Sequence, residues 1–195
     1  MPGTDPNQVR LTGENSFIRL AHDANGPQTT RTSHWRVLWS PAGQGHVLFV
    51  QSEITDNRVR IYADNIALAR WLQEEIESML FPAFADQNLP IREAVFDKSG
   101  DGRAFWTETV ETDEDTLHLT WYDFEAPFVV TVAAGSGNFP HHGVYSCFVP
   151  ARRAQVSLNG RMAEGQPFPQ QRDGHSSSTA CLAWSETWIR HPQVS

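Results

Sequence analysis

Three segments of the 195-residue chain set a carboxylate two residues from a tryptophan within an apolar alternation. Side chains two apart share one face of a strand. Trp106, Glu108 and Val110 therefore fall together, as do Leu117, Leu119, Trp121 and Asp123. The third set is Ala180, Leu182, Trp184, Glu186 and Trp188. If these faces meet in one interior, indole rings wall a pocket that holds acids. Burial disfavours the charged form of a carboxyl and raises its pKa, which suits a general acid or base. Glu186, flanked by two tryptophans, leads the catalytic candidates, with Glu108 and Asp123 beside it. Trp106, Trp121, Trp184 and Trp188 supply the substrate-binding walls. Register decides all of this, because a slip of one residue turns every member to the opposite face. On that opposite face His118 and Tyr122 would replace Asp123. The plainer alternative is that these acids face water at strand ends or pair with arginines.

A second group follows a Gly135-Ser136-Gly137 turn, where Phe139-Pro140-His141-His142-Gly143 precedes Tyr145. Loops at a barrel mouth commonly carry function. His141 or His142 could shuttle protons near neutral pH there, with Tyr145 against the substrate. The alternative is a pair of exposed loop histidines. Adjacent histidines point apart on an extended chain, so they make a poor start for a metal site, which needs three or four convergent ligands. No metal is expected. Arg152-Arg153 could hold an anionic group or form a solvated turn. Asp97–Gly102 resembles a calcium loop only in part and sits better as a hairpin turn. Gly135–Asn138 lacks the lysine and helix of a phosphate loop, and Gly-x-Ser-x-Gly does not occur. No nucleotide, nicotinamide or pyridoxal signature is present, so cofactor-free chemistry is expected.

The elements that must position these residues read mostly as strands. Residues 1–14 are polar and read as a flexible tail, 15–20 as a short strand and 21–33 as a polar loop. Alternation over 35–40, 46–54 and 58–62 marks three strands joined by turns rich in Gly, Pro and Asn. One helix is predicted over 65–80, capped by Asp64 or Asn65. Its apolar stripe is Ala69, Leu72, Ile76 and Met79, widened by Leu68 and Leu80. Arg70, Gln73, Glu74 and Glu77 fall on its polar side. Phe81-Pro82 ends it, since the residue before proline avoids helical angles. Further strands are predicted at 91–97, 103–112, 116–124, 128–134, 144–150, 154–158 and 178–190. Asn159-Gly160 is the strongest hairpin signal, because both residues tolerate positive φ. Short connections favour antiparallel neighbours.

The fold expected is a single mainly β domain over 1–195. It is an antiparallel barrel, lipocalin-like by architecture, or a two-sheet sandwich, with one amphipathic helix. A net charge of −8 disfavours nucleic acid as a partner. No apolar run is long enough to span a bilayer, and the first twenty residues lack the pattern of a secretory leader. Cys147 and Cys181, without a Cys-x-x-Cys, are expected as buried thiols in the cytoplasm. The leading functional expectation is a cofactor-independent acid–base enzyme (hydratase or lyase, isomerase or hydrolase) acting on a small, mostly apolar metabolite. The alternatives are a non-catalytic small-molecule-binding protein and an interaction module whose tryptophans form a homodimer face.

Overall fold

In a computed structural model of the chain, residues 9–136 and 142–189 are described; of Trp188 and Ile189 only the backbone is described. Alternating apolar residues build fourteen strands. They are β1 Val9–Ala21, β2 Gln28–Trp39, β3 Gly45–Ser52, β4 Val59–Ala63, β5 Ile91–Glu93, β6 Val95–Asp101 and β7 Phe105–Glu111. Then come β8 Thr116–Phe124, β9 Phe128–Val132, β10 His142–Leu158, β11 Arg161–Met162, β12 Pro169–Arg172, β13 His175–Ser178 and β14 Ala180–Ile189. Ten of them form a nearly closed, barrel-shaped sheet in the order β5-β4-β3-β2-β1-β14-β10-β8-β7-β6. Neighbours run antiparallel except β4 and β5, which are parallel. The barrel, rather than the sandwich, is the form adopted.

Several boundaries differ from the sequence reading. Residues 9–14 are strand and not tail; residues 1–8 lie outside the described set. The polar stretch 28–33 is strand too. Polar residues occupy it because alternate positions face either the barrel interior or the covered outer face, where hydroxyls find partners. Thr32, for example, binds the backbone of Ile18. The two strands expected at 144–150 and 154–158 are one long strand, β10. Its first half pairs with β14 and β9, its second half with β8. Asn159 and Gly160 do form the hairpin turn to β11, with φ of 52° and 79°.

The inner face carries Ile18, Leu20, Leu48, Val50, Leu117 and Trp121, all buried in one core. A second core lies outside the barrel, where the helix covers Trp35, Val37, Val47, Phe49 and Ile61. Asn65 caps that helix by accepting the Leu68 N–H. Helix α1, Ile66–Leu72, runs into a π-helical segment, Gln73–Glu77, and a last turn, Ser78–Leu80.

That wide segment overturns one expectation. Four residues of an α-helix overshoot a full turn by about 40°, so Gln73, four after Ala69, still borders the apolar stripe, whereas Glu77, a further turn on, should drift toward solvent. A π turn takes up more residues and cancels the drift. Both side chains are fully buried against the sheet. The Gln73 amide donates to the carbonyls of Phe84 and Asp86 and so ties down the chain that leaves the helix.

The barrel seam between β4/β5 and the β7–β8 hairpin is closed by charge. Asp115 accepts from Tyr62 Oη at 2.6 Å and from Arg60 at 3.1 Å, and pairs with Arg92. Burial alone would raise its pKa, but the Tyr62 hydrogen bond and the two arginines hold it below the usual range.

Candidate functional site

Two regions gather chemistry-bearing side chains. The first is inside the barrel and contains part of the expected tryptophan pocket. Trp106, Glu108, Trp121 and Trp184 all face inward. Trp106 Nε1 donates to Glu108 Oε1 at 2.6 Å, and its ring meets that of Trp184 edge-on at 6.2 Å. Trp121 is fully buried and donates to the Phe17 carbonyl. Glu108, 3% exposed, is pushed toward its neutral form by burial, partly offset by the Trp106 hydrogen bond. His34 Nε2 lies 3.8 Å from Glu108 Oε2. Burial, with His46 nearby, drives the His34 pKa down to about 3, so this imidazole is neutral. Phe96 stacks on His46 at 5.2 Å, and Lys98 sits over Trp106 at 4.7 Å.

The other expected members separate from this cluster. Asp123 has φ +51°, a left-handed break at the end of β8. That break turns its carboxylate outward onto Arg153 at 2.6 Å and lets Phe124 pack against the core instead. Glu186 lies beyond Trp184 toward the strand end and is exposed. Tyr145 is 47% exposed, opposite Glu186 on the neighbouring strand. His142 is buried rather than a surface loop residue, because β10 begins there. His141 and the side chain of Trp188 lie outside the described residues. His118 is exposed, as an inward tryptophan face requires. Arg152 and Arg153 pair with Glu125 and Asp123 on the surface. Asp101 accepts the N–H groups of Arg103 and Ala104, so it serves the β6–β7 turn. Cys147 and Cys181 are free thiols.

The second region is a cavity of about 210 Å³ on the opposite face of the same strands. It lies outside the barrel, between the end of the helix and the outer side of β2, β1, β14, β10 and β9. The helix side contributes Ile76, Met79, Leu80 and Phe81. The sheet side contributes Phe17, Trp35, Val130, Val144 and Phe148. Ser33, Ser146, Ser185, Thr187 and His142 place a few polar groups among them, and Arg19 and Arg172 reach in from β1 and β12.

Behind Ser33 and Trp35 sits Glu77. Its Oε1 accepts from Ser33 Oγ at 2.6 Å and from Trp35 Nε1 at 2.8 Å. Its Oε2 is buried without a hydrogen bond. Burial pushes its pKa up to about 7, against those two donors and the charge of Arg19.

Of the site residues singled out from the sequence, His142 alone among the described ones lines this region. Glu77 was hidden by the helical periodicity that the π segment cancels. Arg172 had a visible signal, since Asp173-Gly174 is the same kind of hairpin turn as Asn159-Gly160, with φ of 50° and 76°. That turn folds β12 and β13 into a separate two-stranded sheet, from which Arg172 reaches the barrel wall. Among the described residues no group of three side chains is placed to hold a metal ion, and no helix is long and apolar enough to cross a membrane. No family model, curated protein or solved structure matches this chain.

Proposed function

We propose that the protein is a small-molecule-binding protein whose ligand sits in the helix-covered cavity outside the barrel. The observation that carries this reading is the cavity itself, about 210 Å³ walled mainly by aromatic and aliphatic side chains with a few polar groups among them. That combination is the usual make-up of a ligand site. Apolar cavities of about 150 Å³ take up a molecule the size of benzene, so a compact bicyclic or short-chain ligand suits this one. The barrel interior, by contrast, is occupied by its own side chains.

The test is calorimetric titration with 2-naphthalenemethanol, a neutral compact probe, in the unmodified chain and in Val144→Trp. Val144 lines the cavity and is half-buried, so an indole there fills space instead of straining the core. Binding in the first protein and its loss in the second is the expected result. Equal binding in both would place the ligand elsewhere.

A second reading, an acid–base enzyme, is favoured by one observation, the buried Glu108 beside the neutral His34. Here Glu108 would move the proton and the neutral His34 would help orient a substrate reaching the barrel mouth past Trp106 and Trp184. Its test is Glu108→Gln, which keeps an acceptor for Trp106 Nε1. Any turnover found for this protein should fall by about 100-fold or more in that variant; unchanged turnover would end this reading.

A further inference from the structure

Two guanidiniums line the cavity, and among the described residues neither makes a salt bridge. Arg19 and Arg172 arrive from elements 153 positions apart in sequence and place their guanidiniums over the same ring, Phe17, at 5.1 and 5.3 Å. Arg19 also lies over Phe81 at 4.8 Å, and Arg172 over Phe148 at 4.6 Å. A third guanidinium, Arg31, lies over Phe81 at 4.7 Å. Among the described residues none of the three makes a salt bridge. The Nε atoms of Arg19 and Arg172 are buried and have no hydrogen-bond partner.

The two acids that could serve as counter-ions are not suited to it. Glu77 spends Oε1 on Ser33 and Trp35, and burial raises its pKa to about 7, so it is only part-ionised at neutral pH. The Cys181 thiol is pushed up by burial and stays protonated. Burial and mutual repulsion lower the Arg19 pKa to about 10, which leaves it charged at neutral pH. Two cations thus line an apolar hollow, with Arg31 over the neighbouring Phe81, in a chain whose net charge is −8. Arginine forks match a carboxylate in two parallel hydrogen bonds, and such bonds strengthen where water is excluded.

We propose that the ligand of this cavity is a hydrophobic carboxylate, its apolar body against Phe17, Trp35 and Phe148 and its carboxylate on Arg19 and Arg172. This rests on the binding reading above and adds the chemical class. The phenyl rings hold both guanidiniums in place before the ligand arrives, so little side-chain freedom is lost on binding.

The experiment compares 2-naphthoate with 2-naphthalenemethanol, which share one ring system and differ in charge. Calorimetry is run on the unmodified chain, Arg19→Gln and Arg172→Gln, with circular dichroism to establish that each is folded. Naphthoate should bind at least about tenfold tighter than the alcohol. Each variant should remove most of that preference, read as the ratio of the two affinities. Arg172 sits on its own hairpin, so its variant carries the test if Arg19→Gln does not fold. Equal affinity for the two probes overturns the carboxylate proposal and leaves the cavity reading standing. Tight naphthoate binding that neither variant weakens also overturns it, since the anion then sits elsewhere. Failure of both probes to bind overturns the proposal and the cavity reading together.

Discussion

The indole N–H of Trp35 donates to Glu77 Oε1 at 2.8 Å, joining the floor of the outer cavity to the π segment of the helix above it. This contact makes the helix more than a lid over an apolar sheet. It fixes how the helix sits on β2, and so fixes where Ile76 and Phe81 meet the cavity. The cost is a buried carboxyl with one oxygen unsatisfied.

That cost gives stability a pH dependence. The Glu77 pKa rises from 4.5 unfolded to about 7 folded, so the native state holds a proton that the unfolded chain releases. Its contribution is complete below pH 4.5 and is lost as pH rises through 7. One unit is worth about 1.4 kcal/mol, which puts the full effect on the order of 3 kcal/mol. Urea unfolding of Glu77→Gln should lack this downward slope between pH 4.5 and 7. A variant with the slope of the unmodified chain would show that Glu77 is ionised in the native state.

His34 works in the opposite direction. Its pKa falls from 6.5 to about 3 on burial, so protons bind the unfolded chain preferentially. The stability it gives is present above pH 6.5 and lost as pH falls toward 3, at about 1.4 kcal/mol per unit. Replacement by Asn should make the acid limb of the stability curve shallower. His46, Glu14, Arg36, Lys98 and Glu108 remain around the site in that variant, so a limb of unchanged steepness would mean that His34 is not a source of the acid sensitivity.

Asp115 is the anion on which the barrel seam converges. Asp115→Ala would leave the fully buried Tyr62 and the partly buried Arg60 without their acceptor. Removing one partner of such a cluster costs about 3 kcal/mol. Thermal unfolding should show the loss as a fall of roughly 6–12 °C for a chain of this size. A shift under 2 °C would mean that the arginines find water at little cost.

Gly174 turns the hairpin that brings Arg172 to the cavity. Its φ is +76°, and a Cβ there would meet nothing within 4 Å, so Gly174→Ala has only backbone strain to bear. The expected cost is about 1 kcal/mol, confined to β12 and β13. Hydrogen exchange should quicken over residues 169–178 and stay unchanged in β2 and β3. Uniform acceleration over the whole chain would mean that the small sheet unfolds only with the barrel.

Much of the architecture is written in local sequence. Alternation marks β3 and β8 almost to the residue, Asn159-Gly160 marks a hairpin, and Asn65 with the Leu68–Leu72 stripe marks the helix start. Period two also places Trp106, Glu108, Trp121 and Trp184 on one inner face, because a strand has only two faces and one of them is apolar. What alternation cannot give is how far along a strand the interior extends. Glu186 shares a face with Trp184 yet is exposed, and Asp123 leaves its face through one left-handed residue. Other features arise only once the chain is folded. The π turn reverses the expected side of Glu77, which meets Ser33 and Trp35 on β2, while Gln73 turns inward to the carbonyls of Phe84 and Asp86. The pairing of β1 with β14 joins the two halves of the sheet and carries Ala183 and Ser185 into the cavity with Phe17. The outer cavity, with Arg19 and Arg172 on one phenyl ring, joins residues whose sequence neighbours say nothing of each other. Local pattern records which way a side chain turns, whereas a site depends on which distant side chains turn toward the same space.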